Sequence, residues 1–319
     1  KKVSKYLDVN LNIVDGEKNI IEFFDDVIYF LDEPQADPAS INVYNITRLA
    51  RAKGIKVLLG GTGGDDIFSG YRRHKALRLE KIYDYMPKFL RIFIKFILVK
   101  INFNTPIVRR LKKLTKDLDR SKEERFFGYF DWIDNITLNS IFLNKNLSDK
   151  HDFFRELDSD LPKGIDDLNR ILYYEINSFL VDHNLNYTDK LSMANGVEVR
   201  VPFLDKELFE FSLSISPDLK MKGNTTKYIL KKVAERYLPK DVIYRSKTGF
   251  GAPVRKWIKN DMDFLIDKYL NKETINKRNI FNYEKIQKLI MDNKNGKIDS
   301  SYSIWGLLTI ESWIRQFMK

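Results

Sequence analysis

The chain has 319 residues, 43% hydrophobic and 31% charged, and 55 Lys and Arg against 44 Asp and Glu leave a net charge of +11. Apolar content at this level, with 22 Phe and 16 Tyr, excludes a disordered chain, and the length suits one large domain or two smaller ones. With no cysteine, disulfides, zinc–thiolate sites and a cysteine nucleophile are excluded within these residues.

The chain opens on Lys1 rather than Met, so a processed product or an excised piece is expected. No signal-like apolar run follows Asp8, and the expected location is the cytoplasm. Residues 1–7 read as the tail of a helix. Leu11 to Val14 is a short apolar run of strand type, closed by Asp15-Gly16. Helical spacing through Ile20, Ile21, Phe24, Val27, Ile28 and Leu31 predicts a helix over 17–31. Pro34 and Pro38 then impose a loop. A second helix is predicted from Ser40 to Lys53, stopped by Gly54. Ile55 to Leu59 reads as a buried strand, so the start of the chain carries an α/β signature.

From His74 to about Leu185 the pattern is mainly helical, broken at Pro87, Pro106 and Pro162-Lys163-Gly164. Within it, residues 85–120 hold ten Lys and Arg against Asp117 and Asp119. An anionic nucleic acid, membrane surface or partner protein could answer that charge. The plainer reading is a pair of amphipathic helices, with Arg91 and Lys95 on a wet face. The most apolar stretch, Phe89 to Ile101, carries Arg91, Lys95 and Lys100, so no membrane-spanning helix is expected. Residues 186–205 read as irregular. Helices are predicted near Thr225–Tyr237, Val254–Leu270 and Ser303–Phe317. The aromatic clusters at 126–132 and 305–317 are read as core. His74, His151 and His183 lie far apart without ligand spacing, so no zinc or iron site is expected.

Three blocks could carry chemistry. In the first, an apolar strand runs into Gly60-Gly61-Thr62-Gly63-Gly64-Asp65-Asp66. Glycines let backbone N–H groups approach phosphate oxygens closely, and Asp65 falls where an α/β sheet places a ligand, beyond the carboxyl end of a strand. There it could hold Mg²⁺ between phosphates. The plainer reading is a tight turn with Asp65 as helix N-cap. In the second block, Glu198, Arg200 and Asp205 are charges embedded in an apolar stretch, which calls for an ion-pair network, structural or lining a substrate pocket. In the third, Lys247 stands in a glycine-punctuated loop, Tyr244 to Pro253, either as a mobile charge for phosphate or as a plain surface lysine.

Together these blocks resemble the synthetase domain of the asparagine synthase (glutamine-hydrolysing) family of pyrophosphate-loop ATPases. The likeness extends to Asp32-Glu33-Pro34, Asp37-Pro38, Gly223-Asn224-Thr225-Thr226-Lys227-Tyr228, Trp305 and Glu311-Ser312-Trp313, in family order over nearly the whole chain. It implies an α/β fold: a partial PP-loop ATPase parallel sheet at 1–75, then a mainly helical remainder at 76–319. It implies a ligase of asparagine biosynthesis that uses ATP and Mg²⁺. A carboxylate, aspartate in the type enzyme, attacks the α-phosphorus of ATP to give an acyl-adenylate and pyrophosphate. Ammonia from a separate glutaminase domain, missing from this chain, then displaces AMP.

Carried over by motif, Gly60 and Gly61 close over the nucleotide, with Gly63 and Gly64 in the same loop. Asp65 is the Mg²⁺–pyrophosphate carboxylate, and Lys247 neutralises phosphate charge. Glu198 and Arg200 lie near the reacting centre, and Lys227 is a weaker candidate that packs or pairs. Two departures stand out. The family's Ser-Gly-Gly-x-Asp-Ser loop is absent and is expected upstream of Lys1, so the fragment alone is expected to be inactive. Thr62 stands where asparagine-forming members carry Glu, so the alternative acceptor is a sugar or polysaccharide precursor carboxylate. A basic relative that handles RNA ranks lowest; nucleic acid is not an expected partner, and a homodimer stays open.

Overall fold

The computed structural model describes residues 1–14, 20–100, 106–144, 149–246 and 249–318, without the side chains of 81, 99, 106, 107, 109, 110 and 113. The chain is mostly helical and carries one small parallel sheet of two strands, β1 (Val57–Leu59) and β2 (Glu198–Arg200). It divides into two compact units, each assembled from segments distant in sequence.

The first unit comprises Lys1–Lys18, Ala39–Arg78 and Asp160–Gly251. Its helix Ser40–Ala52 ends where predicted, with Gly54 at φ +76°, a conformation that glycine takes without penalty. That helix buries Ile41, Val43, Tyr44 and Thr47 and packs against the helix Asn186–Ala194, which buries Tyr187, Thr188 and Leu191. Asn195 Nδ2 ties the two together, donating to Tyr44 O and Thr47 Oγ1, each at 3.1 Å. Parallel strands need a long crossover; here the chain leaves β1 at Leu59 and returns to β2 at Glu198.

The second unit comprises Asn19–Pro38, Leu79–Ser159 and Ala252–Lys319. The helix Ile20–Leu31 packs against the closing helix Ser301–Phe317. Phe24 meets Trp305 edge to face, with centroids 5.3 Å apart, the arrangement that ring quadrupoles favour. Asp25 accepts hydrogen bonds from Tyr269 and Ser312, each at 2.6 Å. Phe126, Phe127 and Trp305 are buried, as the aromatic reading anticipated, whereas Trp132 and Phe317 are exposed.

Several expectations are corrected. Leu11–Val14 forms no strand, because a strand needs a ladder partner and this run has none among the described residues. The strand at 55–59 is not buried: Val57 and Leu59 are exposed, since a two-stranded sheet leaves its faces largely uncovered. Residues 186–205 are not irregular but form a helix, β2 and a 3₁₀ turn at Pro202–Leu204. The helix predicted at 254–270 is interrupted by a π-helical segment, Trp257–Asp261, in which Met262 N bonds Trp257 O at 3.0 Å. Trp257 and Met262, at the two ends of this wider turn, are both buried. The helix near 225–237 is shorter, Tyr228–Ala234, and helices at Lys272–Arg278 and Tyr283–Lys294 were not anticipated.

In Lys88–Lys100 the wet face is reversed. Arg91 and Lys95 are only partly exposed, and Lys95 Nζ pairs with Asp119 at 2.6 Å, while Phe89, Phe93 and Phe96 face solvent. Among the described residues, no helix is long and apolar enough to cross a membrane.

Candidate functional site

The register pairs Leu59 with Arg200, and Gly60 N donates to Arg200 O at 2.7 Å. The carboxyl ends of the two strands therefore lie side by side, and the glycine-rich turn leaves one while Val201–Asp205 leaves the other. A Cβ on Gly60 would lie 3.0 Å from Val199 Cγ1, and one on Gly64 would lie 3.2 Å from the Phe203 ring. Gly63 combines φ +92° with a Cβ position 2.5 Å from Leu204 Cδ2. A Cβ on Gly61 would have nothing within 4 Å. Gly60 thus lets the turn approach β2, Gly63 and Gly64 let it pack against the 3₁₀ segment, and Gly61 is the one with open space beside it.

A side chain at Gly63 meets both strain and overlap. Gly63→Ala is expected to destabilise the fold by about 2–4 kcal/mol, and Gly61→Ala by less than about 0.5 kcal/mol, in urea denaturation. Equal effects would remove this division of roles.

The turn enters a short helix, Gly64–Ile67, capped by Gly63. Asp65 is not its N-cap, contrary to the plainer sequence reading. Its Oδ1 lies 2.9 Å from Lys227 Nζ, and both side chains are about a quarter exposed. Gly70 makes room for this carboxylate, because a Cβ there would sit 1.7 Å from Asp65 Oδ1. Lys227 takes the left-handed conformation at φ +52° just before the helix Tyr228–Ala234, a placement that costs a non-glycine residue about 1–2 kcal/mol. Of the two options for Lys227, pairing is the one the structure contains.

Neighbouring Asp66 turns inward and is 1% exposed. Tyr71 OH donates to Asp66 Oδ1 at 3.1 Å and accepts from Asn184 Nδ2 at 2.9 Å. Nearby, Glu175 is 0% exposed; Arg73 Nε and Nη2 bond its two oxygens, and His74 Nε2 lies 3.0 Å from Oε1. Arg73 also lies over the rings of Tyr71 and Phe179, at 4.6 and 4.4 Å. Glu175 opens a π-helical segment, Glu175–Leu185, which also buries Leu180 and Asn184. Sequence reasoning missed Arg73, His74 and Glu175 as a unit. The available signal was a lone carboxylate ending the apolar run Ile171-Leu172-Tyr173-Tyr174.

Burial, and then the Glu175 charge, push the Asp66 carboxyl up to about 6, against the Tyr71 hydrogen bond. A carboxyl raised in the folded state contributes stability that is fully present below its unfolded value and is lost as pH rises through about 6. The rise from 3.8 to about 6 corresponds to about 3 kcal/mol. Asp66→Asn is therefore expected to be the more stable form at pH 8, by up to about 3 kcal/mol, with the difference opening between about pH 4 and 6. A pH-independent difference in urea midpoint would contradict this.

Glu198 and Arg200 pair with each other, Nε to Oε1 at 2.7 Å, as residues two apart on one strand face can. Both are more than half exposed, so this is not the buried network that the apolar surroundings suggested. Asp205 is outside the pair; it caps the helix Lys206–Ser214, accepting from Glu207 N and Leu208 N at 3.1 and 3.2 Å. Lys247 lies outside the described residues. The structure thus brings together the turn, Asp65, Lys227 and the end of β2, all within the first unit.

Among known proteins, residues 1–315 match the family described as asparagine synthase. The chain is 30% identical over 292 residues to asparagine synthetase (glutamine-hydrolyzing) 1 of Bacillus subtilis, covering 90% of this chain and 44% of that protein. It is 38% identical over 87 residues to asparagine synthetase (glutamine-hydrolyzing) 3 of the same organism, covering 27% of this chain and 14% of that protein. It is 23% identical over 308 residues to amidase chyE of Penicillium rubens, covering 86% and 44%. The chain spans less than half the length of these relatives.

Proposed function

The chain belongs to the asparagine synthase family, and on that premise we propose that it forms an amide from a carboxylate at the expense of ATP. A carboxylate oxygen of the acceptor, aspartate in the first instance, attacks the α-phosphorus. The bond to the bridging oxygen breaks, and pyrophosphate leaves with that oxygen. Ammonia then attacks the acyl carbon of the adenylate, AMP departs, and one proton is released as the amide forms. Two B. subtilis relatives are named glutamine-hydrolyzing, which makes glutamine the proposed source of the ammonia.

The observation that carries this reading is a partly exposed carboxylate, Asp65, behind a glycine turn at the carboxyl end of a parallel strand and beside a lysine. A single accessible carboxylate fits Mg²⁺, which is commonly held by one or two carboxylates together with substrate phosphates. Asp65 would hold the ion, which supplies charge neutralisation to the phosphates when bound. Gly61 offers backbone amide approach to the nucleotide. Lys227 positions Asp65 and adds positive charge beside it, and Lys247 is proposed to neutralise phosphate charge during adenylation. The Glu198–Arg200 pair, on the strand next to the turn, is proposed to meet the acceptor.

The test is pyrophosphate release by the protein in its natural full-length form, with ATP, Mg²⁺, ammonium and a panel of carboxylates. Acceptor-dependent pyrophosphate and AMP, formed in equal amounts with the amide, are expected. Formation of ADP and phosphate instead would sink the adenylate reading.

A further inference from the structure

The helix Lys88–Lys100 turns an apolar stripe outward. Phe89, Ile92, Phe93, Phe96 and Ile97 lie at the i, i+3, i+4, i+7 and i+8 positions of one face, and all are exposed, the three phenylalanines at 74%, 57% and 54%. The less exposed face carries Arg91, Ile94, Lys95 and Leu98. A run of large exposed side chains on one stripe marks an interaction surface. Its ends are basic: Lys88 and Lys100 are exposed, and Lys100 Nζ lies 4.0 Å from the Phe96 ring centroid. From Met86 to Lys116 the sequence holds nine Lys and Arg and no Asp or Glu.

We propose that this helix docks in the plane of an anionic lipid bilayer, its phenylalanine and isoleucine stripe in the acyl boundary and its lysines at the headgroups. Thirteen residues make a helix about 20 Å long, too short for a hydrocarbon core of about 30 Å, so it lies on the membrane rather than across it. A second copy meeting face to face would bring two all-basic segments together, and like charges oppose that pairing. Branched aliphatic side chains such as Ile92 and Ile97 insert among acyl chains but do not stack on bases. Lysine stems with charged heads at both ends of the stripe suit the boundary between hydrocarbon and anionic headgroups. This inference is independent of the amidation reading, so either can fail alone.

The test is sedimentation of the full-length protein with vesicles of phosphatidylcholine, with and without phosphatidylglycerol, at low and high salt. The anionic vesicles are expected to bind at least about tenfold more tightly, and high salt to reduce that gap. Phe93→Glu with Phe96→Glu is expected to lower binding at least about tenfold. Lys88→Glu with Lys100→Glu is expected to weaken binding to the anionic vesicles alone. All four positions are solvent-facing, and unchanged circular dichroism shows that the variants fold. Equal binding to both vesicle types, no binding to either, or binding indifferent to the Phe93 and Phe96 changes would overturn the proposal. So would a dimer in light scattering that the Phe93 change dissolves while vesicle binding is absent, which would assign the face to a second copy.

Discussion

Asp65→Ala is expected to lower acceptor-dependent pyrophosphate release by roughly 100- to 1,000-fold while leaving the protein folded. The carboxylate is the accessible one at the strand end, and nothing else in the turn offers a negative ligand there. Asp66, one residue on, is buried and engaged with Tyr71, so it cannot substitute without unpacking the network beneath the turn. The stability change should be small, because the Asp65–Lys227 pair is partly solvated and such pairs contribute about 1 kcal/mol or less. Lys227→Met separates positioning from contact. It keeps the Asp65 carboxylate and removes only the lysine charge beside it, so a smaller loss of turnover is expected, with a weaker dependence on Mg²⁺ concentration than Asp65→Asn shows. Lys247→Ala is also expected to reduce turnover steeply. Unchanged turnover in Asp65→Ala and Lys247→Ala would remove both assignments.

Arg73→Ala is expected to produce the largest loss of stability, about 3–5 kcal/mol, because it leaves the Glu175 carboxylate buried without its main counter-charge. Burial pushes the Glu175 carboxyl up, but the Arg73 charge, its hydrogen bonds and His74 outweigh burial, and the net direction is down. A carboxyl lowered in the folded state contributes stability that is present above its unfolded value and lost as pH falls through the folded one. The parent should therefore lose this contribution in acid, and Arg73→Ala should lack it at neutral pH. Arg73→Lys is expected to rescue only in part, since an ammonium cannot form the two-pronged bond or lie flat over Tyr71 and Phe179. Urea denaturation at pH 7 and pH 4 checks this. If Arg73→Ala matches the parent at both pH values, the ion pair contributes nothing measurable and the argument fails. Asp66 pulls the other way, since its ionisation beside Glu175 destabilises the same core as pH rises through about 6. The network is therefore expected to be most stable in the mildly acidic range between the two titrations.

Local pattern was sufficient wherever the physics is local. Gly54 ends a helix because its own φ is positive, and Ile20 to Leu31 pack through one apolar stripe that repeats every three to four residues. The four glycines were legible as a turn from composition alone. Pattern failed where an element depends on its neighbours. Leu11–Val14 is as apolar as a strand but has no ladder to join, and β1 is exposed because only β2 stands beside it. Phe89 and Lys95 show the same limit: periodicity finds two faces on a helix, and packing decides which one turns inward.

The order of the motifs, the family they belong to and the residue types at the turn are all legible in the amino-acid order. That Asp65 meets Lys227, that Asp66 faces inward onto a network with Tyr71, and that Arg73 and His74 close on Glu175 depends on how the folded chain packs. The physical reason is the distance along the chain. Backbone preference and periodicity act over a few residues, whereas these partners lie on separate segments. Their encounter depends on the burial of Ile67, Phe68 and Ile215 beneath the turn, a core that no single segment contains.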